Sequence, residues 1–116
     1  MVGSRKITTI KLFDGKAIAQ NESETSVAID LREIVDLYKF SFHAIVEGAG
    51  QLDISVLTCS EKDGTYIADS TLIADDQSAG SIFASFDPVL TPFMKIKATE
   101  NNYGAITSLD LWLNIA

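Results

Sequence analysis

The 116-residue sequence predicts an all-β protein: an antiparallel β-sandwich, jelly-roll-like, with about eight strands in a single domain over 1–116. Three observations carry that expectation. Hydrophobic residues recur with a period of two in several separate segments. Turn signals fall between those segments at DG, GAG, KDG, DDQSAG, DP, TP and NNYG. Helical periodicity is nearly absent, and strands at this spacing suggest a sandwich or jelly roll.

Taken in order, RKITTIKLF reads as an opening strand, and Asp14-Gly15 as a turn into a second, KAIAQ. ETSVAIDL places Val27 and Ile29 inward. DLREIVD has the makings of one helical turn, with Asp30 as N-cap and Glu33 three residues on, too short to be more than a corner. In DLYKFSFHAIVEG, Tyr38, Phe40, Phe42, Ala44 and Val46 share one face, and Lys39, Ser41, His43 and Glu47 the other, with Ile45 the apolar intruder. EGAGQ then reads as a hairpin into QLDISVLT, where Leu52, Ile54 and Val56 alternate with Asp53 and Ser55. EKDGTYI bends the chain into YIADSTLIA, GSIFASFD and PFMKIKATE follow, and GAITSLDLWLNIA closes the series. Met94, Ile96 and Ala98 oppose Lys95 and Lys97; Leu109, Leu111, Leu113 and Ile115 share a face. The expected core is Phe40, Phe42, Leu52, Ile54, Val56, Ile96, Leu109, Leu111 and Leu113.

Composition narrows the function classes. Apolar residues make up 47% and charged residues 22%, as in a globular protein. Sixteen carboxylates against nine basic side chains give a net charge of -7, which repels phosphate backbones, and the basic residues form no stripe. A nucleic-acid partner is therefore not expected. Nor is a membrane: no apolar run approaches the ~20 residues a spanning helix needs. No secretory signal is read at MVGSRK, so synthesis and retention in the cytosol are expected. The lone Cys59 forms no internal disulfide.

Chemistry is sought first at Glu61–Ile67. Glu61 and Asp63 could hold a metal, or Cys59 could act as a nucleophile with His43 on a neighbouring strand. Yet Asp-Gly between two strand-like runs is a hairpin signal, and calcium loops space several carboxylates ending in a bidentate Glu. A Cys-His pair also needs an orienting group and an oxyanion hole. The pairs Glu22/Glu24, Asp75/Asp76 and Asp30/Glu33 sit among polar loop residues and suggest no cleft. The expectation is therefore no enzyme, no catalytic residues, no metal and no cofactor. Trp112, between Asp110 and Asn114, faces away from the core. It suits a subunit interface, intramolecular cover or a sugar platform. With Ile45, Leu57 and His43 it makes up the interface candidates, because apolar groups on an outer face invite a partner. A homo-oligomer follows as an expectation.

DGKAIAQNESETSVAIDL, the aromatic strand YKFSFHAIVEGAG, the run ending TCSEKDGTYI, and the tail IKATENNYGAITSLDLWLNIA together resemble small bacteriophage virion β-sandwich proteins of the capsid decoration or cement type. The resemblance covers the chain from about Ile7 onward and rests on hairpins and strand faces. It implies a non-enzymatic protein on the capsid surface of the virion, made in the host cytoplasm. It further implies binding to the major capsid protein, stabilisation of the shell and a homotrimer. The alternative is a tail/receptor-binding module or a carbohydrate-binding one, the latter using Trp112, Tyr66 or Tyr103 as a stacking platform.

Overall fold

A computed structural model describes residues 7–32, 39–89, 91–101 and 107–116, with backbone alone at 69–72. Among the described residues there are nine strands: β1 (Thr8–Ile18), β2 (Ser23–Thr25), β3 (Ile29–Asp30), β4 (Phe40–Gly48), β5 (Leu52–Cys59), β6 (Ile67–Gln77), β7 (Gly80–Phe86), β8 (Phe93–Glu100) and β9 (Thr107–Ile115). No helix is long and apolar enough to cross a membrane. One sheet runs β1-β9-β4-β7, the other β2-β8-β5-β6, with β3 also on β8. Every pairing is antiparallel.

The order has a simple logic. β2 and β3 lie along the same edge of β8 and act as one interrupted strand. Counted so, eight strands pair as first with last (β1–β9), second with seventh (β2/β3–β8), third with sixth (β4–β7) and fourth with fifth (β5–β6). That is one long hairpin with nested arms. Rolling it up adds the β4–β9 and β5–β8 pairings and closes two facing sheets, the jelly-roll arrangement. The all-β sandwich expected from sequence is observed.

Alternation fills the space between the sheets. Phe42, Ala44, Val46, Leu109, Leu111, Leu113 and Ile115 point in from one side. Leu52, Ile54, Val56, Met94, Ile96 and Ala98 point in from the other, and all are buried. Complete burial of each large side chain contributes roughly 1.5–3 kcal/mol. Phe40, expected in the core, is only half-buried. It lies at the sheet's end, its ring 5.7 Å from that of Phe86.

Several local expectations are corrected. EGAGQ is not a hairpin, because β4 and β5 belong to different sheets. Gly48, with φ of 116°, turns the chain through a corner instead. The corner is held by a side chain that alternation alone did not single out. The buried Glu100 carboxylate accepts hydrogen bonds from the backbone N–H of Gln51 (3.3 Å) and of Asn21 (3.1 Å), the latter in the β1–β2 corner. One carboxylate thus ties together two of the crossings between sheets.

Asp14-Gly15 is likewise no turn. β1 runs straight through it as a bulge, with Phe13 opposite Leu111 and Lys16 opposite Leu109. Gly15 takes φ of 57° and donates its N–H to Asp110 Oδ1 at 2.6 Å. Val27 was expected inward and is 74% exposed. The cause is Ser26, whose N–H bonds to the Ile96 carbonyl while its own hydroxyl accepts from the Ile96 N–H (2.8 and 3.0 Å). A side chain has replaced a rung of the backbone ladder, and the next residue is thrown outward. Ile29 resumes the inward pattern and is buried. Asp30 accepts from the Arg32 N–H at 3.0 Å, but Glu33 and the remainder of the expected helical turn lie outside the described residues, as does Tyr38.

Candidate functional site: the outer face of the first sheet

The register of the first sheet places Lys11 opposite Trp112, Trp112 opposite His43, and His43 opposite Phe83. All four project from the outer face, since their neighbours along each strand supply the core. Adjacent strands stand about 4.8 Å apart, close to the spacing at which aromatic rings stack. The result is a ladder across the whole sheet. His43 and Phe83 rings lie 4.0 Å apart at 11°, and His43 and Trp112 rings 4.8 Å apart at 20°. The Lys11 ammonium sits 4.7 Å from the Trp112 ring centre. Each aromatic pair contributes about 0.5–1.5 kcal/mol beyond area burial, and an exposed cation–π contact about 0.5–1 kcal/mol.

Lys11 is held at its end of the ladder by Asp14 of the bulge (2.9 Å) and by Asp110 (3.7 Å). The hydrogen bond to Asp14 is the largest cause of an ammonium pKa above its ordinary value. Polar rungs flank the ladder: Thr9 donates to Asn114 at 2.7 Å, and Asn114 to Ser41 at 3.4 Å.

Three of the four interface candidates, Trp112, His43 and Ile45, therefore share one face. Leu57 does not join them. It lies half-buried on the opposite side of the sandwich, paired with Lys95 and Ala68. Phe83, which completes the ladder and is 70% exposed, was not anticipated. Its only clue was the uncharged run GSIFASF; its place beside His43 depends on a β4–β7 pairing that no local pattern encodes.

Within Glu61–Ile67, residues 61–66 belong to the connection between β5 and β6, the tip of the rolled hairpin, and Ile67 opens β6. Glu61, Lys62, Asp63 and Thr65 are exposed, and Gly64 N–H closes a turn onto the Glu61 carbonyl at 3.1 Å. Cys59 borders an open depression of about 660 Å³, also lined by Ser60, Gly64, Thr65 and Val89. Its Sγ faces Glu61 N–H at 3.5 Å. The pairing of Cys59 with His43 does not occur, because β4 and β5 lie in different sheets. Tyr66 donates to the Lys62 carbonyl at 2.8 Å, and the Lys95 ammonium covers its ring at 4.3 Å. Tyr103 lies outside the described residues.

Carboxylates do converge, though not in that loop. Asp53, Asp75 and Asp76 place oxygens within 4.8 Å of one another. Asp53 accepts from the Asp76 N–H at 2.9 Å and from the Asn101 amide at 3.1 Å, and the same amide donates to Asp76. The charge of Asp76, followed by a hydrogen bond with Asp53, raises the pKa of Asp75. At the far edge, Arg32 clamps Asp30 with bonds of 3.0 and 2.8 Å and lowers its pKa to about 2.

No family model and no curated protein matches the chain. Among solved structures, a chain in the structure of infectious bursal disease virus Gx strain is similar in fold, with a TM-score of 0.57 at 16% identity. The similarity covers 95% of this chain and 32% of that one, so this chain spans about a third of its structural neighbour.

Proposed function

We propose that this protein is a non-enzymatic structural component of a virion, and more specifically a bacteriophage capsid decoration (cement) protein. In that reading it binds the outer face of the shell through the major capsid protein, stabilises it and self-associates, with a trimer as the stoichiometry the sequence resemblance implies. It would be made in the host cytoplasm and end on the capsid surface. The observation that carries the reading is the rolled eight-strand sandwich, alike over 95% of its length to a chain from a virus structure.

The side chains with the greatest chemical potential support a structural role. His43 has one ring face against Trp112 and the other against Phe83. Glu100 bonds backbone at two corners. Cys59 packs over Gly64, where an added Cβ would stand 2.7 Å from its sulfur. Each is engaged in holding the fold.

The sugar-binding alternative loses its best platform. A sugar stacks on a free aromatic face, and Trp112 lies between Lys11 on one strand and His43 on the other. The test is co-expression with a candidate major capsid protein from the same genome, followed by sedimentation of assembled shells. Stoichiometric association and a higher shell melting temperature are expected. Absence from the shells, or glycan binding abolished by Trp112→Ala, would overturn the proposal.

A further inference from the structure

The two sheets have four edges, and three are blunted. β1 carries Lys11, Asp14 and Lys16 and two breaks in register. The β2/β3 edge is interrupted and carries Glu24 and Asp30. β6 has three register irregularities and carries Asp75 and Asp76 just before its end. Charges, bulges and interruptions are how proteins keep sheet edges from pairing with other chains. β7 has none of them. GSIFASF contains no charged residue and no proline, and it pairs with β4 without a shift from Phe40–Phe86 through Val46–Gly80. Among the described residues it pairs with no other strand. Gly80, Ser81, Phe83 and Ser85 are exposed.

We infer that β7 is a self-association edge, joining the β7 of a second copy antiparallel about a twofold axis at Phe83. The self-complementarity of the strand selects the occupant. In that register Ser81 meets Ser85 of the other copy, Ile82 meets Ala84, Gly80 meets Phe86, and Phe83 meets Phe83. On the core-facing side large residues oppose small ones, and on the outer side paired hydroxyls flank the Phe83 pair. The ladder Lys11–Trp112–His43–Phe83 ends on the one ring with a free face, and the twofold places the identical ring there, so the stack runs on through an eight-stranded sheet. Charge points the same way. Two chains of net charge -7 repel, and β7 is the edge that adds no charged side chain to the contact. Main-chain hydrogen bonds supply affinity in such edge pairing, and a twofold contact is self-limiting.

This rests on the self-association proposed above but sets a twofold pair in place of the lone trimer, as a dimer or as two trimers joined into a hexamer, and its test separates the two ideas. Sedimentation equilibrium of the intact chain should show a dimer, or a higher even-numbered species, whose affinity rises with salt as the repulsion is screened. Ser81→Lys combined with Ser85→Lys sets like charges opposite each other twice across the axis and should weaken association about tenfold or more. Ser81→Lys combined with Ser85→Glu should restore it. Both serines are exposed, and circular dichroism would confirm an unchanged fold. In a Cys59→Ser background, Phe83→Cys should form an intermolecular disulfide on mild oxidation, whereas Ser81→Cys should not. A monomer at every concentration overturns both ideas. A trimer or dimer indifferent to the serine charges overturns the β7 assignment and leaves self-association standing.

Discussion

The chain contains two Asp-Gly dipeptides in strand-like surroundings, Asp14-Gly15 and Asp63-Gly64, and their glycines are there for opposite reasons. Gly15 needs its backbone freedom. It sits at φ of 57°, a Cβ there would meet nothing within 4 Å, and its N–H is captured by Asp110. Gly64 needs its emptiness. Its φ lies outside the left-handed region, but a Cβ would come 2.7 Å from Cys59 Sγ and 3.3 Å from the Glu61 carbonyl. The first glycine makes a bulge that turns Asp14 onto Lys11; the second lets the chain close under a cysteine at the tip of the hairpin. Identical dipeptides thus encode a conformational requirement in one place and a steric one in the other.

Substitutions separate the two. The largest effect is expected for Gly64→Ala, where overpacking costs about 1–3 kcal/mol. The loss should shrink markedly in a Cys59→Ala background, since the offending sulfur is gone. Chemical denaturation of the four-member mutant cycle measures that coupling, and additive losses would refute the steric account. Gly15→Ala should cost about 1–2 kcal/mol through left-handed backbone strain alone. Gly15→Asn should recover most of it, and Cys59→Ala should not change it. Asp110→Ala, which removes the acceptor for Gly15 N–H, should cost about 0.5–1.5 kcal/mol. It should also loosen Lys11 over Trp112, seen as altered tryptophan fluorescence. The smallest effect is expected for Asp63→Asn, within about 0.5 kcal/mol at an exposed site. A larger loss would show that the Asp63 carboxylate does more than occupy a turn.

Much of the architecture was legible because alternation is a local signal with a global meaning. Phe42, Ile54, Ile96 and Leu111 had to face one interior, and they do. What escaped the sequence was decided by pairing across long separations. Glycines at 48 and 50 permit a hairpin and a corner equally, and only the destination of β5 in the other sheet distinguishes them. Val27 had the right parity to be buried until Ser26 substituted its hydroxyl for a backbone acceptor. Trp112 and His43 were readable as outward-facing. Their stacking on each other, and on Phe83, required knowing that β9 lies between β1 and β4 and that β7 flanks β4. The acidic group at Asp53 was hidden for the same reason, its members lying on separate strands.

The central position of β9 has a consequence for how the protein is born. The first sheet is stitched together by its last strand: Thr9 bonds to Asn114 across 105 residues, and β1 has no described partner strand until Thr107–Ile115 exists. β1 therefore waits through most of the domain's synthesis for its partner, and Phe13 and Ile18 lack the cover that β9 brings until it is made. The high sequence separation of these contacts places folding in the slow, millisecond-to-second class. The uncharged β7 escapes that wait, because its partner β4 precedes it in the chain and the two can pair before β9 exists.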